Sequence, residues 1–194
     1  NSSEYFWYAQ DTGIWDAKNE AMLTKTGSAG MSTEGGANVA LGNSATTYAL
    51  PALVDIASPW TLIVRCRVGA SAGTQAMVCG DATGTANYVW LRQDSSAVIC
   101  KINGIGAGKT SATTALSTWA FVFAGGVLTT YKDGTSLGTE TITAANLKIN
   151  TLLGGYSGGS FKLNGAFECA NVIPSALDAT AVAARSADLY AVLD

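Results

Sequence analysis

Thr61-Leu62-Ile63-Val64-Arg65-Cys66-Arg67-Val68 alternates with a period of two. Leu62, Val64, Cys66 and Val68 fall on one side; Thr61, Ile63, Arg65 and Arg67 fall on the other. A pleated chain sends successive side chains to opposite faces, so the pattern predicts a half-buried strand. Further runs of this kind follow at 75–79, 87–92, 97–103, 119–124, 127–132 and 136–143. Turn sequences separate them: 80–84, Asp94-Ser95-Ser96 and Asp133-Gly134. Asp-Gly between two strand-like runs signals a hairpin. Strands that follow one another with no helix between them predict an antiparallel sandwich or barrel rather than βαβ units.

Upstream of this region, Tyr5-Phe6-Trp7-Tyr8 reads as an opening strand and residues 21–24 as a short one. Residues 27–42 read as turn-rich, punctuated by Gly35-Gly36. The one convincing helix is terminal, over 179–189, after Pro174. Ser175 or Asp178 supplies its cap. Leu177, Val182, Arg185 and Leu189 follow helical spacing and predict a stripe docked on the sandwich. There is no internal repeat and no dividing linker, so one domain over 1–194 is expected.

Charged residues make up 13% of the 194, well below the usual value of about 25%, and Thr, Ser, Asn and Gly fill the polar share. With a net charge of −3 and Arg65-Cys66-Arg67 as the densest basic stretch, nucleic acid is not expected as a partner. No apolar run is long enough for a membrane span, so no membrane insertion is expected. The first residues lack the basic and apolar regions of a signal peptide, and there is no initiator Met, which leaves a removed leader or a trimmed product as the expectation. Asn1-Ser2-Ser3 matches a glycosylation acceptor. A weakly charged surface suits packing against neighbours or an extracellular or virion-surface location. Cys66, Cys79, Cys100 and Cys169 form no C-x-x-C pair. Their reading is buried free thiols acting as small hydrophobes, with a disulfide as the alternative.

Read in order, several segments resemble a laminin-G-like domain of the concanavalin A-like lectin/glucanase superfamily. They are the turn Trp15-Asp16-Ala17-Lys18-Asn19, then Ser58-Pro59-Trp60-Thr61-Leu62, then Gly80-Asp81 through Asn87-Tyr88. Leu116 through Val122 with Trp119 follows, then Tyr131-Lys132-Asp133-Gly134 to Gly138, then Gly154-Gly155 through Phe161 and Gly165, and last Ala176-Leu177. The resemblance spans nearly the whole chain and implies two packed antiparallel sheets: an all-β jelly-roll sandwich with a short C-terminal helix. One departure is Phe167-Glu168-Cys169, where the family usually carries an acidic pair. Members bind glycans, bind proteins or cut polysaccharides, so fold alone does not choose among these.

The absence of histidine removes Ser-His-Asp and Cys-His catalysis and most zinc sites. Glycoside hydrolysis uses two carboxylates roughly 5–9.5 Å apart. No acidic residue here has another two positions away, and Glu168 stands alone in its run, so no enzyme is expected; a carboxylate pair drawn from separate strands, making a polysaccharide-degrading enzyme, is the alternative. Gly104 to Thr110 ends like a phosphate-binding loop, but Asn103 stands where that spacing requires glycine, and the segment reads as a sandwich loop.

A pyranose packs its CH face on an aromatic ring while amides and charged groups take its hydroxyls. Tyr88, Trp90 and Arg92 alternate with Val89 and Leu91, so they line an outer sheet face if Val and Leu face the core. The alternative, Trp90 in the core of a sheet covered on both sides, stays open. Tyr156 in the glycine-rich loop and Trp15 are further candidates, whereas Trp60 and Trp119 match core positions of the family. The resemblance also implies a loop-edge calcium, for which Asp81 and Asn87 are the best-placed hard ligands; a plain turn role for Asp81 is the alternative. Two functions follow as expectations. One is a non-catalytic glycan-binding or adhesion module. The other is a virion-associated structural protein, a decoration or tail-fibre component, making oligomeric or assembly contacts.

Overall fold

A computed structural model of the chain describes residues 4–43, 45–68, 79–80, 89–94, 97–102, 105–107, 115–143, 146–154, 163–190 and 193, with the side chains of 89–107 outside the description. The strands are β1 (Tyr5–Gln10), β2 (Gly13–Asp16), β3 (Ala21–Met22), β4 (Thr24–Thr26), β5 (Met31–Glu34), β6 (Ala37–Asn43), β7 (Thr47–Ile56), β8 (Trp60–Val68) and β9 (Cys79–Gly80). They continue as β10 (Val89–Asp94), β11 (Ala97–Ile102), β12 (Ile105–Ala107), β13 (Ser117–Ala124), β14 (Val127–Lys132), β15 (Thr135–Thr141), β16 (Leu147–Leu152) and β17 (Asn164–Ile173). Helix α1 (Ala179–Ala187) follows. One sheet has ten strands, ordered β15-β14-β13-β8-β17-β1-β2-β3, with β6 also on β17 and β5 on β6; the other has seven, ordered β12-β11-β10-β9-β16-β7-β4. Among the described residues every strand pairing is antiparallel, and neither sheet closes into a barrel. The fold is an all-β antiparallel sandwich with a short C-terminal helix.

Period-two alternation builds the core between the sheets. Trp7, Trp60, Leu62, Val64, Cys66, Trp119, Phe121, Phe123 and Phe167 from the ten-stranded sheet meet Tyr48, Val54, Ile149 and Leu152 from the other. The rings of Trp60 and Phe123 lie 5.4 Å apart at centroid. The chain changes sheets at Leu23, which is buried in this core between β3 and β4.

The ten-stranded sheet is covered on its other face as well. Phe6, Ile63, Ala120, Val122, Tyr131, Cys169 and Ile173 form a second cluster, closed by Val182 of α1 and by Leu189 just beyond it. Residues 61–68 are therefore not a half-buried strand along their whole length: Thr61 and Ile63 are as buried as Leu62, and only Arg65 and Arg67 on that face remain partly exposed. The helix explains the difference, because an apolar residue on the outer face has something to pack on only after the C-terminal segment returns. Thr61 anchors that return. Its hydroxyl donates to the Ser175 carbonyl (2.8 Å) and accepts from the Leu177 N–H (3.0 Å). Asp178 caps α1, its carboxylate accepting from Ala181 N at 2.8 Å, and the helix ends at Ala187, short of Leu189. Among the described residues no helix is long and apolar enough to cross a membrane.

Other local readings change. Residues 27–42 contain a hairpin, β5–β6, turned by Gly35 and Gly36 with φ of 58° and 85°. That left-handed pair is the backbone a two-residue hairpin turn requires. Ile105–Ala107 pairs with β11 as a short strand rather than lying in a loop. Strands β7 and β16, unread in the sequence, pair with each other. Cys66, Cys79 and Cys169 are free and buried, as the hydrophobe reading expects.

Two outcomes test this packing. Val182→Ala removes two buried methyl groups that close the outer cluster and should cost about 2 kcal/mol in urea unfolding. Gly42→Ala directs a Cβ into the Leu163 carbonyl oxygen. It should lower the thermal midpoint markedly, whereas Gly30→Ala, with open space around it, should not.

Candidate functional site

Of the residues selected by sequence, Tyr88, Tyr156, Asp81 and Asn87 lie outside the described residues. Trp90 and Arg92 stand on β10, an inner strand between β9 and β11, opposite Lys101 and Ile99 respectively, and their side chains are outside the description. Trp60 and Trp119 are fully buried. Trp15 is half-buried on β2, opposite Tyr8 of β1 and Met22 of β3. The turn after it forms as read. Asp16 Oδ1 accepts from the N–H groups of Lys18 (3.0 Å) and Asn19 (3.1 Å), and its Oδ2 accepts from Asn19 Nδ2 (2.8 Å).

The feature that organises the described surface is an irregularity in β17. Phe167 pairs with Cys66 and Cys169 with Arg65, so Glu168 is an extra residue opposite no partner of its own on β8. Strict alternation would send Glu168 and Cys169 to opposite faces. A bulge breaks the alternation and re-aims a side chain. Phe167 and Ala170 both remain in the inter-sheet core, while Cys169 joins the outer cluster. Glu168 contacts two groups of the outer side. Its Oε2 lies 3.1 Å from Arg65 Nε, an ion contact off the N–H axis, and its Oε1 accepts from the Tyr190 hydroxyl at 3.3 Å.

The register then lines up one row across the outer face. Thr118 of β13 pairs with Arg65 of β8, Arg65 with Cys169 of β17, Cys169 with Tyr8 of β1, Tyr8 with Trp15, and Trp15 with Met22. At its aromatic end Tyr8 stacks on Phe6 (5.3 Å), and Tyr190 meets both rings edge-on at 5.8 and 5.6 Å. At its polar end is an open pocket of about 380 Å³, lined by Arg65, Thr118, Asp133, Thr135 and the last turns of α1. Asp133 and Gly134 turn the β14–β15 hairpin with φ of 49° and 77°. Asp133 Oδ1 accepts from Thr118 N (2.8 Å) and Asp133 N donates to the Thr118 carbonyl (2.7 Å). A Cβ at Gly134 would lie 3.2 Å from Ala183 Cα, so the hairpin and helix abut at the pocket wall.

A second depression lies at the sandwich edge, in two adjoining parts of about 180 and 110 Å³ that share Asp16, Asn19, Leu50 and Pro51. Its charged groups are already engaged: Asp16 by its turn, and Lys18 by the Tyr5 ring, 3.7 Å from its Nζ. The outer pocket keeps free polar atoms and is the better-equipped of the two.

Electrostatics argue against nucleophilic chemistry in the described part. Burial pushes the Cys66, Cys79 and Cys169 thiols up, Cys79 to about 12, so none is a thiolate at neutral pH. Burial also raises the Glu168 carboxyl above the ordinary glutamate range, opposed in part by Arg65 and by the Tyr190 hydroxyl. Tyr190 itself is pushed up by burial and by the neighbouring Cys169 and Glu168. Among the described residues no three Cys, Asp or Glu side chains are grouped to hold a metal ion.

No family model and no curated protein matches the chain. Solved structures do. Domain 4 of AbnA, an extracellular GH43 arabinanase from Geobacillus stearothermophilus, solved in complex with arabinotriose, is similar over 94% of this chain and 99% of its own, with 13% identity and a TM-score of 0.68. The binding domain of Paraclostridial Mosquitocidal Protein 1 is similar over 96% of this chain, with 11% identity and a TM-score of 0.73. Botulinum neurotoxin type C, whose cell entry depends on interaction with two ganglioside molecules, is similar over 96% of this chain, with 10% identity and a TM-score of 0.66. The chain spans about half the length of those two toxin chains, 52% and 51%. At these identities the likeness is one of fold.

The raised Glu168 carboxyl has a measurable consequence. The folded state binds this proton more tightly than the unfolded chain, so stability from this group is greatest below the unfolded pKa and falls as pH rises through the folded one. Urea midpoints of the wild type should therefore drop relative to Glu168→Gln as pH climbs above the ordinary glutamate range. Parallel pH profiles would contradict the buried placement.

Proposed function

We propose that the chain is a non-catalytic glycan-binding module, one laminin-G-like domain over 1–194, that works outside the cell as an adhesion or substrate-targeting unit. The observation that carries this reading is the match of 94% of the chain to 99% of an arabinanase domain that holds arabinotriose. Toxin binding domains of the same fold add support, one of them from a toxin that engages gangliosides. The absence of histidine and the high-lying thiols favour binding over catalysis.

In this reading Trp90 and Tyr88 provide the ring surface on which a sugar packs, Arg92 donates to its hydroxyls, and Tyr156 is a second aromatic contact. The position of Trp90 and Arg92 two residues apart on β10 supports it, since residues at that spacing share one face of a sheet. Asp81 and Asn87 are proposed as hard-oxygen ligands for calcium.

A glycan array probed with the purified chain, with calcium and again with chelator, tests the reading. Selective binding is expected, with the signal lost in chelator if the calcium assignment holds. Trp90→Ala should weaken binding at least about tenfold while leaving the circular dichroism spectrum unchanged. An unfolded Trp90→Ala would put Trp90 in the core instead. A blank array under both conditions, with a folded trimer in solution, would overturn glycan binding in favour of the virion-associated assembly role.

A further inference from the structure

We infer that the pocket between Arg65 and Asp133, beside the end of α1, is a subsite for a neutral sugar residue held through two adjacent hydroxyls. This rests on the glycan-binding reading and adds to it a second location and a charge class.

The chain carries few charges, and the described cations on its surface are mostly engaged. Arg67 forms two hydrogen bonds with Glu34, at 3.0 and 2.6 Å. Arg185 lies 3.6 Å from Glu4, and Lys148 lies 3.3 Å from Asp55. Arg65 and Asp133 each keep part of their polar group unengaged. Both line one pocket, yet among the described residues no ion pair joins them. Arg65 places Nε on Glu168 and leaves its two Nη groups without a protein partner among those residues; with its side chain 38% exposed, the guanidinium is reachable. Asp133 uses Oδ1 on the Thr118 N–H and leaves Oδ2 free. A fork of donors and a carboxylate acceptor therefore line the same open pocket, with Thr135 also on its wall.

That arrangement is complementary to a vicinal diol. One hydroxyl accepts from the guanidinium while its neighbour donates to Asp133 Oδ2. Leu116 and Ala187 offer apolar wall for the CH groups of the ring. The volume of about 380 Å³ lies within the roughly 300–1,000 Å³ of small-molecule sites.

Charge selects the class. The Arg65 charge is countered by the Glu168 carboxylate beneath it and by Asp133 in the pocket itself, so no net positive potential remains for a sialic acid or a phosphate. Both walls are preorganised. The Glu168 bulge holds Arg65 from below, and the left-handed turn with its two Thr118 hydrogen bonds holds Asp133. Glu168 is a positioning residue here and does not touch the sugar.

Titration of the ¹⁵N-labelled full chain with arabinotriose, lactose and sialyllactose, followed by NMR, tests the inference. Amide shifts are expected at Thr118, Gly134, Thr135 and Ala187 with at least one neutral sugar. Ala187→Trp, an exposed change at the pocket rim, should reduce that affinity at least tenfold. Asp133→Asn, which tolerates the same backbone turn and keeps the Thr118 bond, should reduce it several-fold. Sialyllactose binding at those amides as tightly as the neutral sugars overturns the charge class. Shifts confined to β10 and β11, with Ala187→Trp binding as wild type, overturn the subsite and leave glycan binding standing. No shift with any of the three sugars overturns the subsite, and the array then decides the wider reading separately.

Discussion

Strand β17 is hydrogen-bonded along both edges and covered on both faces, and the extra residue it carries at Glu168 governs the geometry around it. A regular strand at this place would put Cys169 in the inter-sheet core and Ala170 outside. The bulge turns Glu168 and Cys169 to the same side and restores Ala170 to the core behind them. A carboxylate so placed is costly, since taking a charge out of water is repaid only by close partners. Arg65 and the Tyr190 hydroxyl are those partners, and each belongs to a different part of the chain: one to the adjacent strand, the other to the segment after α1. The bulge thereby ties strand register, C-terminal docking and the orientation of Arg65 to one another.

The C-terminal segment is the second half of that constraint. A sheet with Ile63, Val122 and Phe6 on its outer face needs a cover, and α1 is short for the task. Few of its side chains are buried, Val182 foremost, so much of the fastening comes from its flanks: Thr61 on Ser175 and Leu177 at the entry, Leu189 and Tyr190 at the exit. Between these fastenings the helix runs past the sheet without filling the space over Thr118 and Arg65, and the pocket is what remains.

Much of the architecture was legible because its signals are local. Residues 127–132 and the Asp133-Gly134 turn read as they fold, since alternation and a left-handed turn preference need no distant partner. Where the local signal was weak, strands went unread. Strand β7 carries Pro51, and its register on β16 breaks between Ala49 and Val54, which interrupts the alternation. Strand β6 hid in a glycine- and alanine-rich stretch whose composition suggests turns. The candidate site divides in the same way. Trp90 and Arg92 could be placed on a strand from spacing alone, and the structure has them there. The outer pocket had no sequence signal, because Arg65, Asp133 and α1 come from three distant segments and Glu168 reads merely as an isolated acid.

By itself the sequence determined an all-β antiparallel architecture, the Asp133-Gly134 hairpin turn and a capped terminal helix. Each of these rests on periodicity, turn chemistry or residue type, which are properties of a few consecutive residues. Only the tertiary structure decided that Thr61 and Ile63 are buried, that Glu168 and Cys169 share a face, and that Arg65 and Asp133 line one pocket. Those outcomes depend on register. A one-residue bulge changes which face a side chain occupies, and only the pairing of strands far apart in the chain determines where such a bulge falls.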